Sequence, residues 1–215
     1  MNIRKLIEGM DFKNILLRFG ISFILIIIYL SILIFNYQLI IFLGLIIYLI
    51  IFYEIIINFK LHNYFILSYY FLSLLSFLVY SLFIFNINEF NLMLMIIILF
   101  DTFSYLTGNF FGNKKIFLYL SPKKTLEGLL GGLFFTNLII LFYINFNFDY
   151  TISNFIFINL IIIFALIGDV TQSYFKRLNT LKDSSNFLPG HGGFFDRFDS
   201  FFMCIIFLFT YSYIF

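Results

Sequence analysis

The chain has 215 residues, of which 62% are hydrophobic and 11% are charged, and its formal net charge is +2. Soluble domains are about 45–50% apolar and about 25% charged, so this composition excludes an ordinary soluble domain and indicates an integral membrane protein. The single cysteine excludes an intrachain disulfide and offers no metal-site spacing.

Apolar runs near bilayer length predict an all-α polytopic membrane protein, with about seven transmembrane helices in one domain covering residues 1–215. In chain order the predicted spans are Ile15–Phe35, Leu39–Ile57, Tyr64–Phe85, Leu92–Leu106, Leu126–Ile144, Ile152–Val170 and Phe198–Phe215. The fourth span is short, which fits a tilted or broken helix, or one that ends in a cavity. The first run is too long for a signal-peptide core, so we expect it to remain as an anchor.

Basic residues follow a strict pattern along these spans. They lie before or in the first turn of the first span and follow the second, fourth and sixth, at Arg4, Lys5, Lys13, Arg18, Lys60, Lys114, Lys115, Lys123, Lys124, Lys176, Arg177, Lys182 and Arg197. With a cytoplasmic N-terminus, all of them lie on one face, as the positive-inside rule requires. We therefore predict a multi-pass protein of the inner or plasma membrane whose loops 109–125 and 173–197 face the cytoplasm.

The second and fourth predicted spans each contain one acidic residue. Glu54, near the end of the second span, is the weaker candidate because its side chain can reach the membrane interface. Asp101 forms a polar face of the fourth span with Ser104, Tyr105 and Gly108. An intramembrane aspartate is a functional candidate by default. The alternative is an aspartate satisfied by neighbouring hydroxyl groups.

The segment Ser121–Gly128 places two lysines beside the start of the fifth span. Lys123 and Lys124 would suit a lipid headgroup or the phosphates of a nucleotide. The alternative is a helix start, in which Thr125 is the N-cap and Glu127 favours the positive end of the helix dipole. Both interpretations can hold at once.

Three aspartates are predicted to meet at the membrane border. Asp169 ends the sixth span, with Ser173 one helical turn later, and Asp196 and Asp199 begin the seventh span. Converging carboxylates repel one another unless a cation lies among them, and oxygen ligands without a His/Cys cluster favour Mg²⁺ over Zn²⁺. The alternative is that each aspartate caps a helix or pairs with an arginine.

A basic, glycine-rich segment lies between these aspartates. Lys176, Arg177 and Lys182 come first, and the sequence 189–193 contains three glycines. Glycines let the backbone approach a phosphate, while lysine and arginine supply charge and donors. A flexible cytoplasmic turn explains this segment equally well by itself. Combined with the carboxylates, it indicates a metal–polyphosphate site.

These residues closely resemble the phosphatidate cytidylyltransferases, also called CDP-diacylglycerol synthases. The family signature is Ser-x-hydrophobic-Lys-Arg, four residues, Lys-Asp, a spacer, and His-Gly-Gly-hydrophobic-x-Asp-Arg-hydrophobic-Asp. It is filled here by Ser173, Lys176, Arg177, Lys182, Asp183, His191, Gly192, Gly193, Asp196, Arg197 and Asp199. Three further family segments are similar to Gly168-Asp169, to 101–112 and to Ser121–Gly128, so the resemblance runs from about residue 101 to 200.

The resemblance implies an enzyme of phospholipid biosynthesis, which transfers CMP from CTP to phosphatidic acid and gives CDP-diacylglycerol and pyrophosphate. It implies Mg²⁺ at Asp169, Asp196 and Asp199, and leaves a second cation open. The other implied catalytic residues are Lys176, Arg177, Lys182, Asp183, His191 and Arg197. The implied CTP- or headgroup-binding residues are Ser121, Lys123, Lys124, Asp101, Ser173, Gly192 and Gly193.

The expected partners are CTP and a membrane lipid, with no nucleic acid. The spacing of Gly108 and Gly112 is one that membrane helices use for contacts, which leaves a homodimer open. A related CTP-dependent enzyme acting on another lipid phosphate or alcohol is the first alternative, because acyl and isoprenoid tails are equally apolar. An ion or proton transporter is the second. It would need acidic residues through the membrane depth, including the outer half, whereas here they cluster at one face and the only outer-side acids are Glu89 and Asp149 in loops.

Overall fold

The computed structural model describes residues 27–36, 38–60, 63–147, 152–185, 187 and 192–214. Residues 27–35 are helical (α1). The further helices are α2 Leu39–Asn58, α3 Asn63–Val79 with a π-helical continuation Tyr80–Ile84, α4 Ile87–Phe111, α5 Leu126–Asn147, α6 Ile152–Leu178 and α7 Asp199–Ile214. An antiparallel hairpin of β1 Lys115–Phe117 and β2 Ser121–Thr125 joins α4 to α5, and a 3₁₀ turn Phe195–Arg197 precedes α7.

Among the residues that the structure describes, five helices are long and apolar enough to cross a membrane: α2, α3 with its π-helical end, α4, α5 and α6. Helix α7 is equally apolar in character but has 16 residues. The predicted helical, multi-pass architecture is confirmed to this extent. Of the first predicted span only 27–35 lies within the described residues, so the count of seven and the cytoplasmic N-terminus stay predictions.

Two predicted boundaries and one predicted loop were wrong. The fourth span is not confined to Leu92–Leu106, because α4 is one unbroken helix of 25 residues. The sixth does not end at Val170, since α6 continues to Leu178. Residues 115–125 form a hairpin where the sequence predicted only a loop or helix start. Hydropathy marks the part of a helix that meets lipid, and helices continue beyond it once their polar side chains reach water or protein.

Small residues bring α4 and α5 into close contact. A Cβ added to Gly128 would lie 2.7 Å from the Ser104 carbonyl oxygen and 3.0 Å from the Gly108 Cα. The Thr107 hydroxyl donates a hydrogen bond to the Gly128 carbonyl (3.2 Å). Glycines at such a crossing let two backbones approach where lipid gives no hydrophobic drive to pack them. Gly108 therefore makes its helix contact within the chain, and the homodimer stays a prediction.

Two further contacts fix α6 between its neighbours. The side-chain amides of Asn137 on α5 and Asn159 on α6 exchange two hydrogen bonds, each 3.1 Å long. On the other side of α6, a Cβ added to Gly168 would lie 2.5 Å from the Asp199 carbonyl oxygen at the start of α7. The end of α6 and the start of α7 therefore touch through their backbones.

An aromatic cluster joins α2, α3 and α7. Tyr48 stacks on Phe202 with ring centroids 5.2 Å apart and packs edge-on against Tyr70 of α3 at 5.6 Å. Phe195 also packs against Phe202, with ring centroids 5.6 Å apart. Both phenylalanines are fully buried. Because Phe195 belongs to the 3₁₀ turn, the segment before α7 is held against the helical core.

Candidate active site

The chemistry-bearing residues meet at one end of the helix bundle. The end of α4, the hairpin, the start of α5 and the end of α6 enclose a cleft of about 650 Å³. Its polar lining consists of Asp101, Ser104, Tyr105, Asn109, Lys115, Ser121, Lys123, Lys124, Thr125 and Asp169. The structure thus brings together the intramembrane aspartate, the lysine pair and the aspartate of the sixth span, which the sequence had placed in separate segments.

An ion pair crosses the wall of the cleft. Lys124 Nζ on β2 pairs with Asp169 Oδ2 on α6, and their side chains are 28% and 21% exposed. The Ser173 hydroxyl donates to Asp169 Oδ1 at 3.4 Å, which confirms the predicted shared helix face. This pair holds one cation and one carboxylate at the same side of the cleft.

Two more carboxylates stand near this ion pair. Asp101 on α4 and Asp199 on α7 both lie close enough to Asp169 for the negative charges to interact. The contact of Gly168 with the Asp199 backbone accounts for the approach of α7. The Ser104 hydroxyl has no hydrogen-bond partner among the described residues, so it does not satisfy Asp101. Electrostatic repulsion among three carboxylates is therefore concentrated at this point.

The hairpin is fixed to both flanking helices. The Thr125 hydroxyl accepts a hydrogen bond from the Gly128 N–H (3.2 Å), so the predicted N-cap of α5 is confirmed. Glu127 accepts from the backbone N–H groups of Asn113 (3.0 Å) and Lys114 (3.1 Å), which closes the end of α4 onto the start of α5. Lys123 and Lys124 nevertheless line the cleft. Both interpretations of this segment thus hold together.

Asp196 organises the segment between α6 and α7, residues 179–198, called here the α6–α7 loop. Its Oδ1 accepts from Lys176 Nζ (2.7 Å), and its Oδ2 accepts from the N–H groups of Ser184 (2.7 Å) and Gly193 (3.0 Å) and from the Ser184 hydroxyl (3.0 Å). Burial acts to raise the pKa of Asp196, but Lys176 and the backbone donors outweigh burial and lower it. The carboxylate is therefore held ionised by the loop that it organises.

The two described glycines of this loop are explained by close approaches. Gly192 has φ +81°, a left-handed conformation, and a Cβ there would lie 2.6 Å from Asp196 Oδ2. A Cβ on Gly193 would lie 2.1 Å from the Ser184 hydroxyl and 2.6 Å from Glu54 Oε2. These glycines make room for carboxylates of the chain itself. Their predicted role towards a phosphate is not tested by this geometry.

The remaining predicted site residues that the structure describes do not line the cleft. Arg177 donates to the Leu181 carbonyl (2.9 Å) at the end of α6, and Lys182, Asp183 and Arg197 are exposed. His191 lies outside the described residues. Lys176 is committed to Asp196. Their predicted catalytic roles therefore stay predictions.

The fit of a magnesium ion can be judged from the available oxygen atoms. Asp196 has both oxygens bonded to donors of the chain, which favours a role in holding the loop. Asp101, Asp169 and Asp199 offer hard oxygen ligands of like charge, a donor set that suits Mg²⁺. Within the described ranges, no group of three or more His, Cys, Asp or Glu side chains is arranged to hold a metal. The metal ligands thus stay a prediction.

Sequence reasoning missed two residues that hold the α6–α7 loop. Glu54 does not reach the interface as expected, because it is 1% exposed and accepts hydrogen bonds from the loop. Gln172, fully buried on α6, donates to the Phe195 carbonyl. One feature of the sequence could have identified Glu54 as important: it is a single glutamate in an otherwise apolar run. The loop residues that contact it lie 130 to 141 residues later, and no local pattern identifies them.

Comparison with known proteins identifies one matching family model and several similar proteins. The family model described as "Cytidylyltransferase family" matches residues 58–215. A phosphatidate cytidylyltransferase of Staphylococcus aureus (strain COL) is 42% identical over 111 residues, which is 50% of this chain. Those of Staphylococcus haemolyticus and Haemophilus influenzae are 40% and 37% identical over 110 and 121 residues, 50% and 54% of this chain. In each case the match spans 42% of the relative's length.

Proposed function

The chain belongs to the cytidylyltransferase family, and from that premise we propose that it is a phosphatidate cytidylyltransferase of phospholipid biosynthesis. The observation that supports this proposal most directly is the cleft, in which three lysines and two aspartates lie together at one end of a bundle of helices long enough to span a membrane. Such a site can accept a water-soluble nucleotide while the acyl chains of a lipid remain in the bilayer. The proposed substrates are CTP and phosphatidic acid.

The proposed reaction forms one bond and breaks one bond. An oxygen of the phosphatidate phosphate attacks the α-phosphorus of CTP, and the bond from that phosphorus to the α,β-bridging oxygen breaks. Pyrophosphate leaves with the electron pair, and CDP-diacylglycerol forms. The attacking phosphate is already ionised at neutral pH, so no strong general base is needed. Catalysis then depends on orientation and on neutralising negative charge, as in other phosphoryl transfers.

We assign these tasks to residues of the cleft and to Asp199 near it. Lys123 and Lys124 neutralise the triphosphate and the leaving pyrophosphate, and Ser121 at the start of β2 donates a hydrogen bond to a phosphate. Asp169 and Asp199 would hold a magnesium ion, with Asp101 as a further candidate ligand, and the ion would supply positive charge for the phosphates. Asp196, also predicted from the sequence as a ligand, has both oxygens bonded within the α6–α7 loop, so we propose that its task is to hold that loop.

We also propose that this end of the bundle faces the cytoplasm of a bacterial inner or plasma membrane. CTP is a cytoplasmic metabolite, and all thirteen basic residues fall on that face in a seven-span arrangement. The positions of the acidic residues favour an enzyme over a transporter. Glu89 lies in the first turn of α4, at the opposite end from Asp101, and accepts from the Ser212 hydroxyl (2.9 Å).

The test is an assay of purified protein with CTP, Mg²⁺ and phosphatidic acid, which follows pyrophosphate release. Activity should require all three, stop with EDTA, and fall by about 10²–10³-fold in Asp169→Asn and Asp199→Asn. Glu89→Gln is the matched control and should behave as the wild type. Activity that survives EDTA, or persists in both aspartate variants, would contradict the metal assignment. Higher activity with a polyprenyl phosphate would favour another lipid substrate.

A further inference from the structure

Glu54 is a buried carboxylate to which the proposed reaction gives no part. It lies near the end of α2, and only 1% of the residue is exposed. It does not line the cleft. A carboxylate buried at this depth is costly unless donors surround it, so its partners indicate what it does.

Within the described part of the chain, the hydrogen bonds to Glu54 come from the α6–α7 loop. Its Oε1 accepts from the Ser185 hydroxyl (2.7 Å) and the Phe194 N–H (2.9 Å), and its Oε2 accepts from the Phe195 N–H (2.9 Å). The Ser184 hydroxyl also lies 3.4 Å from Oε2, but its one proton has a closer acceptor in Asp196 at 3.0 Å. An ionised carboxylate has about four lone-pair sites, so three donors occupy most of them, and both oxygens are engaged in fixing the backbone of the loop.

Glu54 and Asp196 act on the same short stretch of chain. The Ser184 hydroxyl lies within hydrogen-bond distance of both carboxylates, at 3.4 Å from Glu54 and 3.0 Å from Asp196. Gly193 is buried between them, and a Cβ there would lie 2.6 Å from Glu54 Oε2. The two N–H groups bound by Glu54 belong to Phe194 and Phe195, at the start of the 3₁₀ turn. Helix α7 begins two residues after this turn, at Asp199. The position of Asp199 therefore depends on this anchor.

We propose that Glu54 is a positioning residue for nucleotidyl transfer, which anchors the α6–α7 loop to α2 and so holds Asp199 beside Asp169. The inference rests on the proposed function, because its consequence for rate is measured as cytidylyl transfer. The family model begins its match at residue 58, after Glu54. The anchor thus comes from a part of the chain that the family match does not cover.

The experiment compares Glu54→Gln with wild type. Gln keeps the size but replaces one acceptor oxygen by an amide nitrogen that would face an N–H donor. We expect kcat to fall about 10- to 100-fold, because small misplacements of reacting groups have effects of this size. The KM for CTP should change less than about threefold, since Glu54 lies outside the cleft. Deuterium uptake by peptides that contain Phe194 and Phe195 should quicken about tenfold or more, as their N–H groups lose an acceptor.

Glu89→Gln is the matched control, because it removes the same charge from a carboxylate that a serine hydroxyl also bonds. It should leave kcat and the exchange of this loop unchanged. A wild-type kcat per folded molecule in Glu54→Gln would overturn the inference. A reduced kcat with unchanged deuterium exchange of the loop would overturn it too, because it would indicate that Glu54 acts directly in the reaction. If wild type shows no cytidylyl transfer, the proposed function fails instead. The exchange data then decide the anchor alone: faster exchange supports it, and unchanged exchange overturns it.

Discussion

The cleft and the α6–α7 loop contain the same kinds of charged side chain but use them differently. In the cleft, Asp101 and Lys123 are exposed, and no described residue donates a hydrogen bond to Asp101. In the loop, Asp196 and Glu54 each have both carboxylate oxygens bonded to donors of the chain. A charge that faces open space is available to a ligand, whereas a saturated charge fixes a backbone. We therefore expect cleft residues to control chemistry, and loop residues to control geometry.

The largest effect should follow from removing a cleft carboxylate. Asp101→Asn should reduce kcat/KM about 10²–10³-fold, because it removes a preorganised charge from the reacting groups. The unfolding midpoint in detergent should stay close to that of wild type, since no described residue donates a hydrogen bond to this side chain. If the variant unfolds more easily but transfers CMP normally, Asp101 has a structural role like the loop residues. That result would contradict the distinction between cleft and loop.

The same Lys→Met substitution, made at the α6–α7 loop and in the cleft, tests whether the two regions control stability and chemistry separately. Lys176→Met removes a largely buried partner of Asp196 and should cost about 1.5–3 kcal/mol of stability. Lys124→Met removes a more exposed partner of Asp169, so its stability cost should be smaller and its loss of kcat larger. Unfolding in detergent and pyrophosphate release measure the two effects. Equal losses of stability and of kcat in the two variants would contradict separate roles for the cleft and the loop.

Gly168→Ala tests how closely the two regions are joined. The new Cβ would lie 2.5 Å from the Asp199 carbonyl, a backbone atom that cannot move alone, so α7 must shift. We expect a stability loss of about 1–3 kcal/mol, as for other overpacked sites, together with reduced kcat. Gly108→Ala is the matched control for stability, because its nearest neighbour is the Thr125 hydroxyl at 3.1 Å. A larger stability loss in Gly108→Ala would contradict this ranking.

The smallest effect should come from the hairpin, where a cap can be removed without touching a charge. Thr125→Ala takes the acceptor from the Gly128 N–H and should cost about 1 kcal/mol. Thr125→Ser keeps the hydroxyl and should lose less. The unfolding midpoints of the two variants provide the measurement, and equal midpoints would exclude a stabilising cap.

The sequence predicted the parts of this molecule that depend on local pattern. Helix α2 begins at Leu39 as predicted, because an apolar run of bilayer length marks both the lipid contact and the helix. The Thr125 cap was likewise a local feature. The charged residues of the α6–α7 loop were found because they stand out in an apolar chain. The family resemblance gave them a function.

Contacts between residues far apart in the sequence could not be predicted from local sequence pattern. Glu54 looked like an interfacial residue, since the donors that bury it come from Ser185, Phe194 and Phe195, and no periodicity links them. Asp196 and Asp199 were predicted to share a helix face and a metal. Asp196 lies within the 3₁₀ turn and bonds the loop, whereas Asp199 begins α7 and lies near Asp169, so the two do not lie on one helix. The shared metal stays a prediction. The partner of a polar side chain is a tertiary property.

The sequence separation of the Glu54 anchor bears on how the protein is made. Glu54 is synthesised 130 residues before Ser184 and 141 before Phe195, so at about 5–20 residues per second its carboxylate precedes its donors by roughly 7–30 s. During that interval α2 carries an acidic group whose loop donors have not yet been translated. Until translation delivers the loop, water has to supply the hydrogen bonds that this buried group later receives from the chain. Assembly of this end of the bundle can finish only after Phe195 has been translated.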